Sequence, residues 1–119
     1  MTSQELAKTL HTLSAARDVK HLTLATNEQL DGFSPKAEDC HGNADRWVRL
    51  HPQHDAIHGF LVISDYLFNK HSVVDTGSEL LDITPRPLNE SRNILNFIII
   101  DGGSRAVFDE WPNQVLYTC

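Results

Sequence analysis

The chain has 119 residues, the length of one ordinary domain, and 40% of them are hydrophobic while 22% are charged. This balance excludes disordered and fibrous proteins and predicts one globular domain over residues 1–119. Sixteen acidic against ten basic side chains give a net charge of -6. Because such a surface repels a phosphate backbone, we expect no nucleic-acid partner.

The N-terminus carries no sign of an export signal. The stretch from Met1 to Leu6 has neither a positive nor an apolar region, and the longest apolar run, residues 97–100, is far too short to span a bilayer. We therefore expect a cytoplasmic protein with no membrane association. Cys40 and Cys119 are the only cysteines, which does not fit a disulfide framework, so Cys40 is predicted to be a free thiol. Oligomeric state is not indicated.

A first helix is predicted over residues 3–17. Thr2 and Glu5 have the spacing of a capping box, in which each side chain bonds the backbone amide of the other residue. Apolar residues then follow at helical spacing, at Leu6, Leu10, Leu13 and Ala16. The polar residues 25–39 are predicted to form a long surface loop.

A second helix is predicted after this loop. Its apolar face consists of Cys40, Ala44, Trp47, Val48 and His51. The helix should end before Pro52. Asp39 is a suitable N-cap, although Ser34 followed by Pro35 is an alternative start, and Gly42 favours the later one.

The remainder of the chain has the composition of strands. Runs of β-branched and aromatic residues occur at residues 57–63, 72–74, 80–83 and 97–100. A turn over residues 101–104 would lead into a further strand at residues 106–108. Helices first and strands after predict an α+β domain, with N-terminal helices packed on an antiparallel β-sheet.

One predicted hairpin carries a histidine and a carboxylate. If Thr76 and Gly77 form a two-residue loop, counting back along the two strands puts His71 directly opposite Asp82. Opposed residues have Cβ atoms about 4.5–5.5 Å apart. A hydrogen bond between imidazole and carboxylate is therefore predicted.

These residues fit the chemistry of a thiol enzyme. Cys40 is the candidate nucleophile, His71 the base that takes its proton, and Asp82 the group that orients the imidazole. A cysteine in the first turn of a helix also lies at the positive end of the helix dipole, which favours thiolate. The free amides of that turn could stabilise an oxyanion.

The order of these motifs resembles the transglutaminase-like and papain-like cysteine enzymes. Three segments carry the resemblance: Cys-His-Gly-Asn-Ala-Asp-Arg-Trp-Val from Cys40, His-Ser-Val-Val from His71, and Leu-Asp-Ile-Thr-Pro around Asp82, within residues 38–85. It implies a papain-like or transglutaminase-like core and an acyl-thioester on a peptide, protein or small amide substrate, ending in hydrolysis, deamidation or transfer. It implies no cofactor and no metal. The tryptophan that commonly follows the histidine in transglutaminase-like proteins is replaced by Ser72 and Val73.

Two further residues are candidates for substrate contact. Asn43 follows Cys40 by one helical turn, and Gln29 precedes it in the loop, where its amide could donate to an oxyanion.

Two other functions fit the same sequence. A zinc-binding domain could use Cys40 together with His41, His51, His54 and His58, since zinc accepts thiolate and imidazole ligands. A non-enzymatic binding module or inhibitor could present its acidic surface to a basic partner.

Overall fold

The computed structural model describes residues 2–26, 28–37, 39–85, 96–100 and 105–118. Its elements are α1 (Ser3–Ala15), β1 (Lys20–Leu24), α2 (Cys40–Leu50), β2 (Asp55–Val62), β3 (Leu67–Asp75), β4 (Leu80–Asp82), β5 (Asn96–Ile99), α3 (Arg105–Glu110) and β6 (Gln114–Leu116). Helices and strands are thus mixed along the chain. Within the described ranges, no helix is both long and apolar enough to cross a membrane.

The six strands form one sheet in the order β2-β5-β1-β4-β3-β6. Because β2 also pairs with β3, five strands close into a small barrel and β6 pairs with β3 outside the ring. The prediction of a purely antiparallel sheet is wrong, since β1 and β4 run parallel, with Leu22 beside Leu80. A parallel pair needs a long crossover, and here α2, β2 and β3 lie between the two strands in the chain.

The first helix begins as predicted. Thr2 Oγ1 accepts a hydrogen bond from the Glu5 amide at 3.1 Å, and Glu5 Oε1 accepts one from the Thr2 amide at 3.0 Å. The helix ends earlier than expected, at Ala15, and Arg17 has a φ of 58°. A residue in this left-handed region cannot continue a right-handed helix.

The apolar side chains form three clusters, two of which hold helices to the sheet. The cluster under α1 consists of Leu6, Ala7, Leu10, Phe60, Phe68, Ile98 and Val115. The cluster under α2 consists of Ala44, Trp47, Val74, Leu81 and Ile83. The third takes one residue each from β1, β2, β3 and β5 and fills the interior of the ring: Leu22, Leu61, Val73 and Phe97. Alternate residues of β3 therefore face α2 and the interior.

The second helix starts at Cys40, with Asp39 as its N-cap. The alternative start at Ser34 and Pro35 is wrong, because these residues lie in the loop. The four predicted strands correspond to β2, β3, β4 and β5, whereas residues 106–108 belong to α3 and not to a strand. The predicted turn at residues 101–104 lies outside the described residues.

Gly59 on β2 lies where three strands come together, paired with His71 on β3 and with Ile99 on β5. A Cβ added to Gly59 would lie 2.1 Å from the carbonyl oxygen of Ile98 and 2.9 Å from Cζ of Phe97. Only glycine allows β2 and β5 to approach this closely.

Candidate active site

The nucleophile candidate lies where α2 meets an interruption in strand pairing. One edge of β3 is covered by β2 along its length, so β6 and β4 must share the other edge. On that edge β6 pairs with Leu67 to Asn69 and β4 with Val74 and Asp75. On this edge, among the described residues, no strand pairs with β3 between Asn69 and Val74, and His71 lies in this gap. Cys40, the first residue of α2, meets β3 here.

His71 and Asp82 form the predicted contact. Nε2 of His71 lies 3.1 Å from Oδ1 of Asp82, and the two residues are 8% and 2% exposed. Among the described residues Nε2 has no partner that meets hydrogen-bond geometry, so the contact is an ion pair and not the aligned hydrogen bond that the sequence predicts. The ring of Phe97 packs against the imidazole at 6.4 Å between centroids, which adds an apolar wall. The Thr84 amide donates to Asp82 Oδ1 at 3.2 Å and holds the carboxylate in place.

The predicted register of this hairpin is wrong by two residues. Asp75 pairs with Leu80 because the connection contains four residues: the Thr76 amide donates to the Glu79 carbonyl at 3.1 Å. A two-residue shift leaves every side chain on the same face of the sheet, since the side-chain period of a strand is two. The histidine and the aspartate are therefore diagonal neighbours and not opposed ones, and a diagonal contact is still within reach of an imidazole.

The charges of the site favour thiolate and imidazolium. Burial disfavours the charged form of Cys40, but hydrogen bonds and positive charge from His41 and His71 outweigh burial and lower the pKa of the Cys40 thiol to about 6. Burial also disfavours the charged form of His71, but Asp82 and Cys40 outweigh it and raise the pKa of the His71 imidazole to about 9. At neutral pH the pair is therefore ionised, which is the reactive state of a cysteine nucleophile.

A second histidine also contacts the sulfur. Nδ1 of His41 lies 3.7 Å from Sγ of Cys40 and is hydrogen-bonded to Oγ of Ser72. The same hydroxyl lies 2.6 Å from Nδ1 of His58. Sequence reasoning considered His41 and His58 only as zinc ligands and missed this arrangement. A hairpin through the turn at Asp65 would have put His58 opposite Ser72, as β2 and β3 do.

Asn43 is fully buried and connects the loop to the sheet. Its Oδ1 accepts from the Lys36 amide at 2.9 Å, and its Nδ2 donates to the Lys36 carbonyl at 2.8 Å and to Thr84 Oγ1 at 3.1 Å. Gln29 is exposed, and its side-chain amide donates to Glu79 Oε1 at 3.3 Å. Asn43 thus fastens the loop at Lys36 to the segment that follows β4. The substrate contacts predicted for Asn43 and Gln29 stay predictions.

Removal of the Asn43 amide is expected to destabilise the fold. Asn43→Ala removes three hydrogen bonds of a fully buried side chain, two to the backbone of Lys36 and one to Thr84, and each such bond stabilises the fold by about 0.5–1.5 kcal/mol. We expect the free energy of unfolding to fall by about 2 kcal/mol or more in urea titrations. The control is Asn113→Ala, which changes an exposed side chain. Equal stability of the two variants would contradict the role given to Asn43.

The zinc alternative finds no ligand cluster in the described part of the chain. No group of three or more histidine, cysteine, aspartate or glutamate side chains there could hold a metal ion. His51 stacks on Trp47 with 4.1 Å between ring centroids, and Trp47 Nε1 donates to His54 Nδ1 at 3.0 Å. These two histidines pack against the buried Trp47, and His54 accepts its hydrogen bond.

Comparisons of the chain with family models, with curated proteins and with solved structures found no match. The side-chain geometry is therefore the basis for assigning a function.

Proposed function

We propose that this protein is a small thiol enzyme that forms an acyl-thioester at Cys40 on a peptide, protein or small amide substrate. The observation that carries the proposal is the position of His71 beside both Cys40 and Asp82: His41 and His71 lower the pKa of the thiol to about 6, and Asp82 and Cys40 raise that of the imidazole to about 9. The transglutaminase-like and papain-like order of the three residues supports the same assignment.

The reaction follows from the positions of the ring nitrogens. Nε2 of His71 faces Asp82, which leaves Nδ1 for the sulfur and the substrate. The Cys40 thiolate adds to the acyl carbon, and the imidazolium gives its proton to the departing amine as the carbon–nitrogen bond breaks. In the second half, neutral His71 takes a proton from water or another acceptor nucleophile, which attacks the thioester and releases the thiolate.

The N-terminus of α2 supplies the oxyanion site. The first amides of a helix have no carbonyl partner within it. Asp39, although it is the N-cap residue, makes no side-chain hydrogen bond to these amides. Donation from these amides would stabilise the oxygen of the tetrahedral intermediate, where charge develops.

Alkylation of Cys40 is expected to follow the titration of a thiolate that forms at unusually low pH. In a Cys119→Ser background, the rate of labelling by iodoacetamide should reach half of its maximum at about pH 6. Turnover should rise through the same pH and fall above about pH 9, where His71 loses its proton. Mass spectrometry of the labelled chain gives the rate of alkylation at each pH. A midpoint near that of an ordinary thiol, about pH 8.5, would contradict the proposal.

The covalent step is tested by trapping. The protein is incubated with a panel of activated esters and peptide amides, quenched in acid and analysed by mass spectrometry for an acyl group on Cys40 that hydroxylamine removes. Cys40→Ala should form no adduct and should show no turnover. If Cys40→Ala keeps the biological effect of the protein, the binding module or inhibitor becomes the correct function.

A further inference from the structure

The sulfur of Cys40 has two imidazole neighbours, and the mechanism above uses only one of them. His71 reaches it from β3, and His41 follows it on α2 with Nδ1 at 3.7 Å. We propose that His41 is a second catalytic histidine, which stabilises the thiolate without transferring a proton and is held in its tautomer by Ser72 and His58. This inference rests on the proposed function and assigns one further residue to it.

The direction of the hydrogen bonds follows from the chemistry of the acceptor. A thiolate has lone pairs and no proton, so the His41 nitrogen that faces it must carry the hydrogen. That nitrogen is Nδ1, which is also bonded to Ser72 Oγ. The N–H group is thus shared between the sulfur of Cys40 and the oxygen of Ser72.

Ser72 fixes this arrangement. Its hydroxyl is fully buried and lies between two imidazole nitrogens, those of His41 and His58. A hydroxyl has one proton to donate. With His41 donating to the oxygen, the Ser72 hydroxyl can donate its proton to His58 Nδ1, at 2.6 Å. In this order of donors and acceptors each of the three groups has a partner, and Ser72 and His58 are positioning residues.

An aromatic side chain adjoins both His41 and His58. Phe108 on α3 packs against His41 at 5.3 Å and against His58 at 5.0 Å between ring centroids. Lys70 lies 4.9 Å from the centre of the Phe108 ring and donates to the Phe108 carbonyl at 3.0 Å. The elements that meet here carry the following ionisable residues: Cys40, His41, Asp45, Arg46 and Arg49 on α2, Asp55 and His58 on β2, Lys70, His71 and Asp75 on β3, and Arg105, Asp109 and Glu110 on α3.

His71 and His41 have different roles in the reaction. When the thioester is cleaved, His71 takes the proton of the attacking water, and the electron pair of the carbon–sulfur bond returns to the sulfur of Cys40. At that point His71 acts as a base, while the N–H of His41 meets the negative charge on the departing thiolate. His41 should therefore matter most in the release of the acyl group.

The test measures the pH midpoint of Cys40 alkylation in two backgrounds. One background is the Cys119→Ser chain, and the other is the same chain with His71→Ala. Each background is combined with His41→Ala and, separately, with His41→Asn, which keeps an N–H group but no imidazole. A charged or donating neighbour at this distance shifts a pKa by about 1–3 units. We expect His41→Ala to raise the midpoint by about one unit or more in both backgrounds and His41→Asn to raise it less.

Further measurements separate a chemical role from a structural one. Exposed His21→Ala is the control and should leave the midpoint unchanged. Ser72→Ala should raise the midpoint by less than His41→Ala does. Under single turnover with a trapped acyl group, His41→Ala should slow deacylation more than acylation, whereas loss of folding would slow both equally. Thermal unfolding of each variant is recorded alongside.

The outcomes distinguish the two proposals. If the midpoint is low, rises in His71→Ala and does not move in His41→Ala or His41→Asn, the role of His41 is overturned and the thiol enzyme stands. If the parent chain has an ordinary thiol midpoint and forms no adduct at Cys40, the thiol enzyme itself is overturned. A rise with His41→Ala in both backgrounds supports the inference.

Discussion

Replacement of His71 by alanine is expected to reduce turnover by about 10³-fold or more. The change removes both the proton donor for the leaving amine and the cation that stabilises the Cys40 thiolate. The loss should be mainly in kcat, because the imidazole acts on reacting atoms. Steady-state kinetics with whichever ester or amide gives the Cys40 adduct provide the measurement.

Two variants show whether this loss is specific. His21→Ala removes an exposed histidine on β1 and should retain full turnover. Asp82→Asn keeps the shape of the side chain but removes the charge, so the pKa of His71 should fall and the alkaline limit of turnover should move to lower pH. Turnover by His71→Ala within a few-fold of the parent chain would rule out His71 as the base.

Gly59→Ala is expected to destabilise the fold by about 3 kcal/mol or more. The new methyl group would meet a backbone oxygen, that of Ile98, at 2.1 Å. Side chains can rotate away from such a clash, but this carbonyl belongs to the β2–β5 pairing and can move only if the strands separate. Urea unfolding of the purified variant measures the loss.

Gly77→Ala provides the matched control. Gly77 has a φ of 95° and a methyl group there would meet no atom within 4 Å. Its replacement therefore tests backbone conformation without a clash, and we expect a loss of about 1–2 kcal/mol. If both alanine variants are equally stable, close approach of β2 and β5 is not what requires glycine at position 59.

Local signals in the sequence were sufficient for much of the site. The capping box at Thr2 located the start of α1, because its two hydrogen bonds join residues within one turn. For α2 the sequence offered two starts, and the one at Asp39, which Gly42 favoured, is correct. The contact between His71 and Asp82 was predicted with an incorrect turn. It was correct nonetheless, since an even shift in register preserves the face of both strands.

The features that sequence reasoning missed depend on distant parts of the chain. The strand at residues 20–24 pairs with β4 and β5, far along the chain, and its own five residues give little periodicity. Residues 106–108 form a short apolar run, which fits a strand or a helix equally well. The bonds of Ser72 join residues of α2, β2 and β3, so they become visible only once the three elements are assembled.

The ring of strands makes the acidity of Cys40 depend on β5. Asp82 lies on β4, which pairs with β1, a strand that precedes Cys40 in the chain, and β1 in turn pairs with β5, which follows Cys40. A nascent or clipped polypeptide that lacks β5 cannot close the ring, and its cysteine should have the weak acidity of an unfolded thiol. Oxidants attack thiolates more readily than thiols. The thiol of Cys40 should therefore become acidic, and sensitive to oxidants, only once β5 has joined the sheet.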